Sequence, residues 1–196
     1  RGFRIELGEI ESVLAAQAGM IRDSLAGLAR QRPGVRDTYF VSVAGFAGDA
    51  VFRKEAMSAR ELFDQHFDTA GRSLVLANNV DTVDKLPLAS AFNLGRVLDG
   101  IGRIIDRNED VVVVFLSSHG LPNLLSLRFD GFPIVDIGPT ELASQLKEAK
   151  IGARVLILDD ATSSVDPTKE HEIRDALADN DLHTQIERVR ITPLSL

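Results

Sequence analysis

Between Val111 and Leu116 the chain reads Val-Val-Val-Val-Phe-Leu, without one polar residue. Valine loses rotamer freedom in a helix and packs well on a pleated sheet, so the run predicts a strand. A strand with no polar alternation has no face to give to water. It fits the centre of a parallel sheet covered on both sides, whose strands must be joined by crossovers, usually helices.

Helices and strands alternate along the rest of the chain. From Gly8 to Arg30 the apolar residues Ile10, Val13, Leu14, Ile21, Leu25 and Leu28 recur mostly at spacings of three and four, which predicts an amphipathic helix stopped by Pro33-Gly34. Thr38 to Val43 is β-branched and aromatic and predicts a buried strand, with a glycine-rich exit at Gly45 to Gly48. A helix is expected over about Arg53 to Phe67, a strand over Ser73 to Ala77, and a helix over Leu88 to Ile105. Leu124 to Phe129 reads as an extra strand or hairpin arm, Thr140 to Ala149 as a helix, and Arg154 to Leu158 as another apolar strand. The pattern predicts an α/β fold, a doubly wound sheet with right-handed crossovers. After the polar turn Thr162 to Pro167, a charged helix is expected over about Thr168 to Ala178. The tail from Asp179 to Leu196 alternates weakly (Ile186, Val189, Ile191) and could add an edge strand or fray. One α/β domain over residues 1–178 with a tail over 179–196 is the expected organisation.

Composition narrows the function classes. With 196 residues, 44% of them apolar and 26% charged, the chain is in the globular range and long enough to bury a core. It has no cysteine, so a disulfide framework, a thiolate metal site and a thiol nucleophile are excluded together. A net charge of −7 gives no electrostatic reason to approach nucleic acid or an anionic membrane. The longest apolar run is far short of the roughly 20 residues that span a bilayer. No charged-then-apolar leader opens the chain, and its first residue is Arg1, as in a fragment, a processed product or an engineered chain. A soluble, cytoplasmic protein without nucleic-acid or membrane partners and without a cofactor is expected.

The strongest local motif is Ser117-Ser118-His119-Gly120, directly after the valine strand. In open α/β sheets functional groups gather at the carboxyl ends of the strands, where a histidine can act as a general base. Other candidates are weaker. Asp64, His66 and Asp68 alternate within a helical stretch and so point in different directions, as solvated residues do. His171 lies between Glu170 and Glu172 on a charged helix, and His183 lies in the tail. Gly45 and Gly48 lack the G-x-G-x-x-G spacing and a helix start close behind them, which favours a turn over a dinucleotide loop.

Over Leu14 to Val155 the chain resembles the bacterial members of the legumain-type (haemoglobinase) cysteine peptidases, relatives of the caspases. The resemblance is carried by Gln31-Arg32-Pro33-Gly34 leading into Asp37 to Val43, Leu62-Phe63-Asp64, Thr69 to Leu76, and Leu86-Pro87-Leu88-Ala89. Asp106-Arg107-Asn108-Glu109-Asp110 before the valine strand and Ser118-His119-Gly120 after it complete the likeness. It implies a caspase-like three-layer fold, mainly parallel strands with helices on both faces, truncated at its C-terminal side. It also implies a peptide ligand, with His119 as the catalytic base beside Gly120. The family's nucleophile is a cysteine after the next parallel strand. Here that place reads Asp159-Asp160-Ala161-Thr162-Ser163-Ser164, and the missing cysteine falls at Ala161.

Two further likenesses flank this core. Arg154 to Asp166, running on through Leu177, resembles the Walker B strand and D-loop of ATP-binding-cassette ATPases. That implies Mg²⁺ held by Asp159 or Asp160. No Gly-x-x-x-x-Gly-Lys-Ser/Thr phosphate loop accompanies it. Arg1 to Leu14 resembles the late motif of adenylate-forming domains of peptide synthetases. Motifs of three unrelated families in one chain imply a mosaic or designed sequence, with a peptidase-like core that lacks its nucleophile and at most a binding or scaffold role. Two alternatives stay open: a serine-dependent hydrolase using His119 with Ser163 or Ser164, and Mg²⁺-phosphate binding at Asp159 and Asp160.

Overall fold

The computed structural model describes residues 7–121, 124–152, 154–160 and 185–187. Its elements, in chain order, are α1 (Leu7–Ala26), β1 (Thr38–Ala44), α2 (Ala50–His66), β2 (Ser73–Ala77), α3 (Ala91–Gly102) and β3 (Val111–Ser118). There follow β4 (Gly120–Leu121), β5 (Leu124–Leu125), α4 (Pro139–Glu148), β6 (Arg154–Asp160) and β7 (Gln185–Glu187). The predicted helix over 168–178 lies outside the described residues.

The sheet runs β2-β1-β3-β6-β7, and every pair in it is parallel. All eight residues of β3 are buried, as a valine run with no polar alternation requires. One face of the sheet packs Tyr39, Val41, Val43, Val112, Val114 and Leu116 against α1, α3 and α4. The other packs Phe40, Val113, Phe115 and Ile157 against Phe52, Ala56, Ala59 and Phe63 of α2. The α/β layering with helices on both faces follows from these two cores.

Several boundaries differ from the sequence expectation for local reasons. The helix α2 starts at Ala50, because Asp49 caps it by accepting the Val51 N–H at 2.9 Å. A helix therefore does begin two residues after Gly48, contrary to the reading of Gly45 to Gly48 as a loop with no helix close behind. The helix α3 starts at Ala91, not Leu88, since Ser90 caps it through the Asn93 N–H at 3.1 Å. Leu88 packs instead with Phe129 and Phe132 in a small cluster of its own. Of the expected arm Leu124 to Phe129 only Leu124–Leu125 is a strand, antiparallel to β4. Beyond β5 the arm bridges only from Arg128 to Phe46, and Leu125 itself also bridges Ile137.

A charged network ties the amino-terminal edge of the sheet. Asp37, fully buried, accepts Arg32 N–H groups from the backbone at 2.6 Å and from Nε at 2.8 Å, and pairs with Arg72 at 3.3 Å. Its own N–H donates to Asp110 at 2.9 Å. Asp64 is not the solvated residue its spacing suggested: it accepts from the Thr69 hydroxyl at 2.7 Å and from the Ser73 hydroxyl, joining α2 to the start of β2. Asp68 meets Arg32 at 2.5 Å.

Candidate functional site at the carboxyl edge of the sheet

His119 follows the last residue of β3, so the strand itself delivers the imidazole to the carboxyl edge, where it is exposed. Its ring stands edge-on to two phenylalanines, Phe46 at 4.7 Å and Phe52 at 4.8 Å between centroids. Edge-to-face packing of this kind orients a ring while leaving its other side free. Phe46 comes from the loop after β1 and the fully buried Phe52 from the first turn of α2. The backbone is held as well: the His119 carbonyl accepts the Ser126 N–H at 2.9 Å.

The strand exits around it are joined through their backbones. Gly45 N–H donates to the Ser117 carbonyl at 2.9 Å, and the Gly45 carbonyl accepts Arg128 N–H at 2.8 Å and the Asn78 amide at 2.8 Å. A β-carbon at Gly45 would stand 2.6 Å from the Ser126 carbonyl and 2.7 Å from the Ser118 hydroxyl, so only glycine admits this approach. Asn78, buried at the end of β2, donates also to the Ala89 carbonyl at 2.7 Å and accepts the Ala89 N–H at 3.0 Å. The exits of β1, β2 and β3 thus form one rigid rim behind His119.

Beneath the rim lies a buried carboxyl group that sequence reading missed. Glu55 of α2 is 6% exposed, and its Oε2 accepts from the Ser117 hydroxyl at 2.6 Å. An acid in mid-helix reads as solvated, but residue 55 shares the apolar phase of Phe52, Ala56, Ala59 and Phe63, and that phase was the available signal. Phe46 and Phe52 were missed because a core phenylalanine and one that orients a histidine look alike in a sequence.

The strands β3 and β6 are parallel neighbours, with Ser117 opposite Asp159 and Ser118 opposite Asp160. The backbone of the Asp159-Asp160 pair is therefore beside the residues that lead into His119 and Gly120, at a spacing of about 4.8 Å between strands. Gly120 begins β4 and is exposed, with nothing within 4 Å of a β-carbon placed on it. Ala161, Ser163 and Ser164 lie outside the described residues. Among the described residues no group of three or more His, Asp or Glu could hold a metal ion. No helix among them is long and apolar enough to cross a membrane. No family model and no curated protein matches this chain.

What the edge can do chemically follows from these facts. An exposed imidazole on a rigid rim can accept or donate a proton, but covalent acyl transfer also needs a nucleophile within hydrogen-bond reach. The chain has no thiol to supply one.

Proposed function

We propose that the chain is a catalytically inactive domain of the legumain or haemoglobinase type, of mosaic or designed origin, whose role is at most to bind a peptide or serve as a scaffold at the carboxyl edge of its sheet. The observation that supports this reading is the pairing of β3 with β6, which sets the exit to His119 beside the exit to Ala161 in a chain without cysteine. His119 is the base that the resemblance implies, and Ala161 stands for the absent nucleophile. A serine is a poor substitute, because a hydroxyl needs far more activation than a thiol.

Turnover of Asn- and Asp-containing peptide reporters tests the proposal. The expected result is none above the uncatalysed rate, since removal of a nucleophile costs several powers of ten. Turnover that persists through purification and disappears in His119→Ala overturns it. Labelling of Ser163 or Ser164 by a fluorophosphonate would favour a serine hydrolase instead, and Mg²⁺-dependent nucleotide binding lost in Asp159→Asn would favour a phosphate site at Asp159 and Asp160.

A further inference from the structure

Aspartate precedes glycine at Asp99-Gly100 and at Asp130-Gly131, and the fold treats the two pairs differently. In such a pair the glycine nitrogen can attack the aspartate side chain, because glycine sets no β-carbon beside the attacking atom and leaves the backbone free to turn. The nitrogen bonds to Cγ of the protonated carboxyl group, and its proton leaves with the carboxyl OH as water. Water then opens the five-membered imide. Breaking the bond from nitrogen to Cγ restores aspartate, and breaking the bond from nitrogen to the α-carbonyl carbon leaves isoaspartate. The net change is an isomerisation that needs no oxidant and no co-reactant.

Asp99-Gly100 is protected from this chemistry. It lies inside α3, where the helical hydrogen bond holds the glycine nitrogen. A β-carbon at Gly100 would stand 2.4 Å from the Leu25 side chain, so α1 packs directly on this point. The nitrogen is released only when the helix opens locally.

Asp130-Gly131 has none of these restraints. Both residues are exposed, and the Asp130 side chain is 86% accessible. They form the middle of a turn closed by the Phe132 N–H on the Phe129 carbonyl at 2.9 Å, with Gly131 at a φ of +91°. The Gly131 N–H, the nucleophile, makes no hydrogen bond among the described residues. Asp130 meets Arg128 at 3.1 Å, but both side chains are mostly in solvent, where such a pair restrains little.

We propose that Asp130 is a site of spontaneous isoaspartate formation, and that the change loosens the turn it occupies. The residues on either side are buried: Phe129 and Phe132 stack at 4.7 Å between ring centroids and pack on Leu88. Isoaspartate routes the main chain through Cβ and Cγ and so adds one atom between the two rings. The turn bond and the ring pair then cannot both keep their places. The site does not depend on the peptidase-like reading.

Incubation of the full chain at physiological temperature in mildly acid buffer tests this. Electron-transfer fragmentation of its peptides tells isoaspartate from aspartate and reads each site separately. Isoaspartate is expected to accumulate at least about tenfold faster at 130 than at 99, because reaction at 99 waits on helix opening. In denaturant, where no fold separates the two pairs, their rates should agree within about twofold. Asp130→Glu, which cannot close the five-membered ring, should abolish the signal at 130. The isomerised form, separated from the parent, should melt at a lower temperature. Equal accumulation at 130 and 99 in the folded chain, isoaspartate at 130 that forms only in denaturant, a signal that survives Asp130→Glu, or an isomerised form that melts with the parent overturns the proposal.

Discussion

Asp110 shows how a single buried charge sets a pH dependence. It is 1% exposed and accepts two backbone N–H groups, from Asp37 at 2.9 Å and Asp106 at 2.8 Å. Burial raises its pKa above the ordinary 3.8, the Asp37 and Asp106 charges add to the rise, and the two hydrogen bonds oppose it. The folded state therefore holds this proton more tightly than the unfolded chain does. Between 3.8 and the raised value, lowering the pH increases the contribution of Asp110 to stability, and its charge costs stability above that window. In Asp110→Asn the amide oxygen accepts only one of the two N–H groups and the NH₂ faces the other, a loss of about 1–3 kcal/mol. Denaturant unfolding at several pH values should show the gap between parent and variant widening as pH falls through the window; a gap that narrows contradicts this account. None of it was legible in the sequence, where Asp106 to Asp110 entered only as one of the stretches that carry the family resemblance. Burial of Asp37 depends on Arg72 arriving from a distant segment, and that of Asp110 on the Asp37 N–H, 73 residues away in the chain. The position of His119 at the carboxyl edge was legible because a strand with one possible reading precedes it.

At the scale of elements, hydrophobic patterning carried most of the information. The strands β1, β2, β3 and β6 and the helices α1 to α4 all appear where periodicity and β-branching put them, with ends displaced by caps such as Asp49 and Ser90. Packing between elements was not legible, because it rests on residues with no side chain to pattern. The helix α3 approaches α4 so closely that a β-carbon at Gly102 would stand 2.1 Å from the Ala149 carbonyl oxygen, and one at Gly95 3.2 Å from Gln145. In Gly102→Ala the backbone at the end of α4 must move, and overpacking of this kind costs about 1–3 kcal/mol. Ala149 and Leu146 anchor that end in the main core, so the strain cannot escape into solvent. Gly120→Ala, with open space around it, should leave stability within about 0.5 kcal/mol of the parent. Chemical denaturation of the two variants checks the contrast, and equal effects would mean that α3 and α4 do not meet closely.

For the molecule as a whole, the order β2-β1-β3-β6-β7 decides which distant segments become neighbours. It sets the exits of β1 and β3 against one another through Gly45 and Ser117, and puts the end of β6 beside that of β3. The sequence indicated parallel strands, but their order was not legible in composition or period; only the adjacency of β3 and β6 was expected, and that from a resemblance. The central claim is that His119 faces the place of a nucleophile that this chain does not possess. Because the chain contains no cysteine, Ala161→Cys introduces a single thiol, and its alkylation rate as a function of pH reports its surroundings without interference. A thiol beside an imidazole that can carry charge ionises below its ordinary value of about 8.5. The account predicts a depressed thiol pKa in Ala161→Cys that returns toward the ordinary value when His119→Ala is added; a thiol that titrates identically with and without His119 would contradict it.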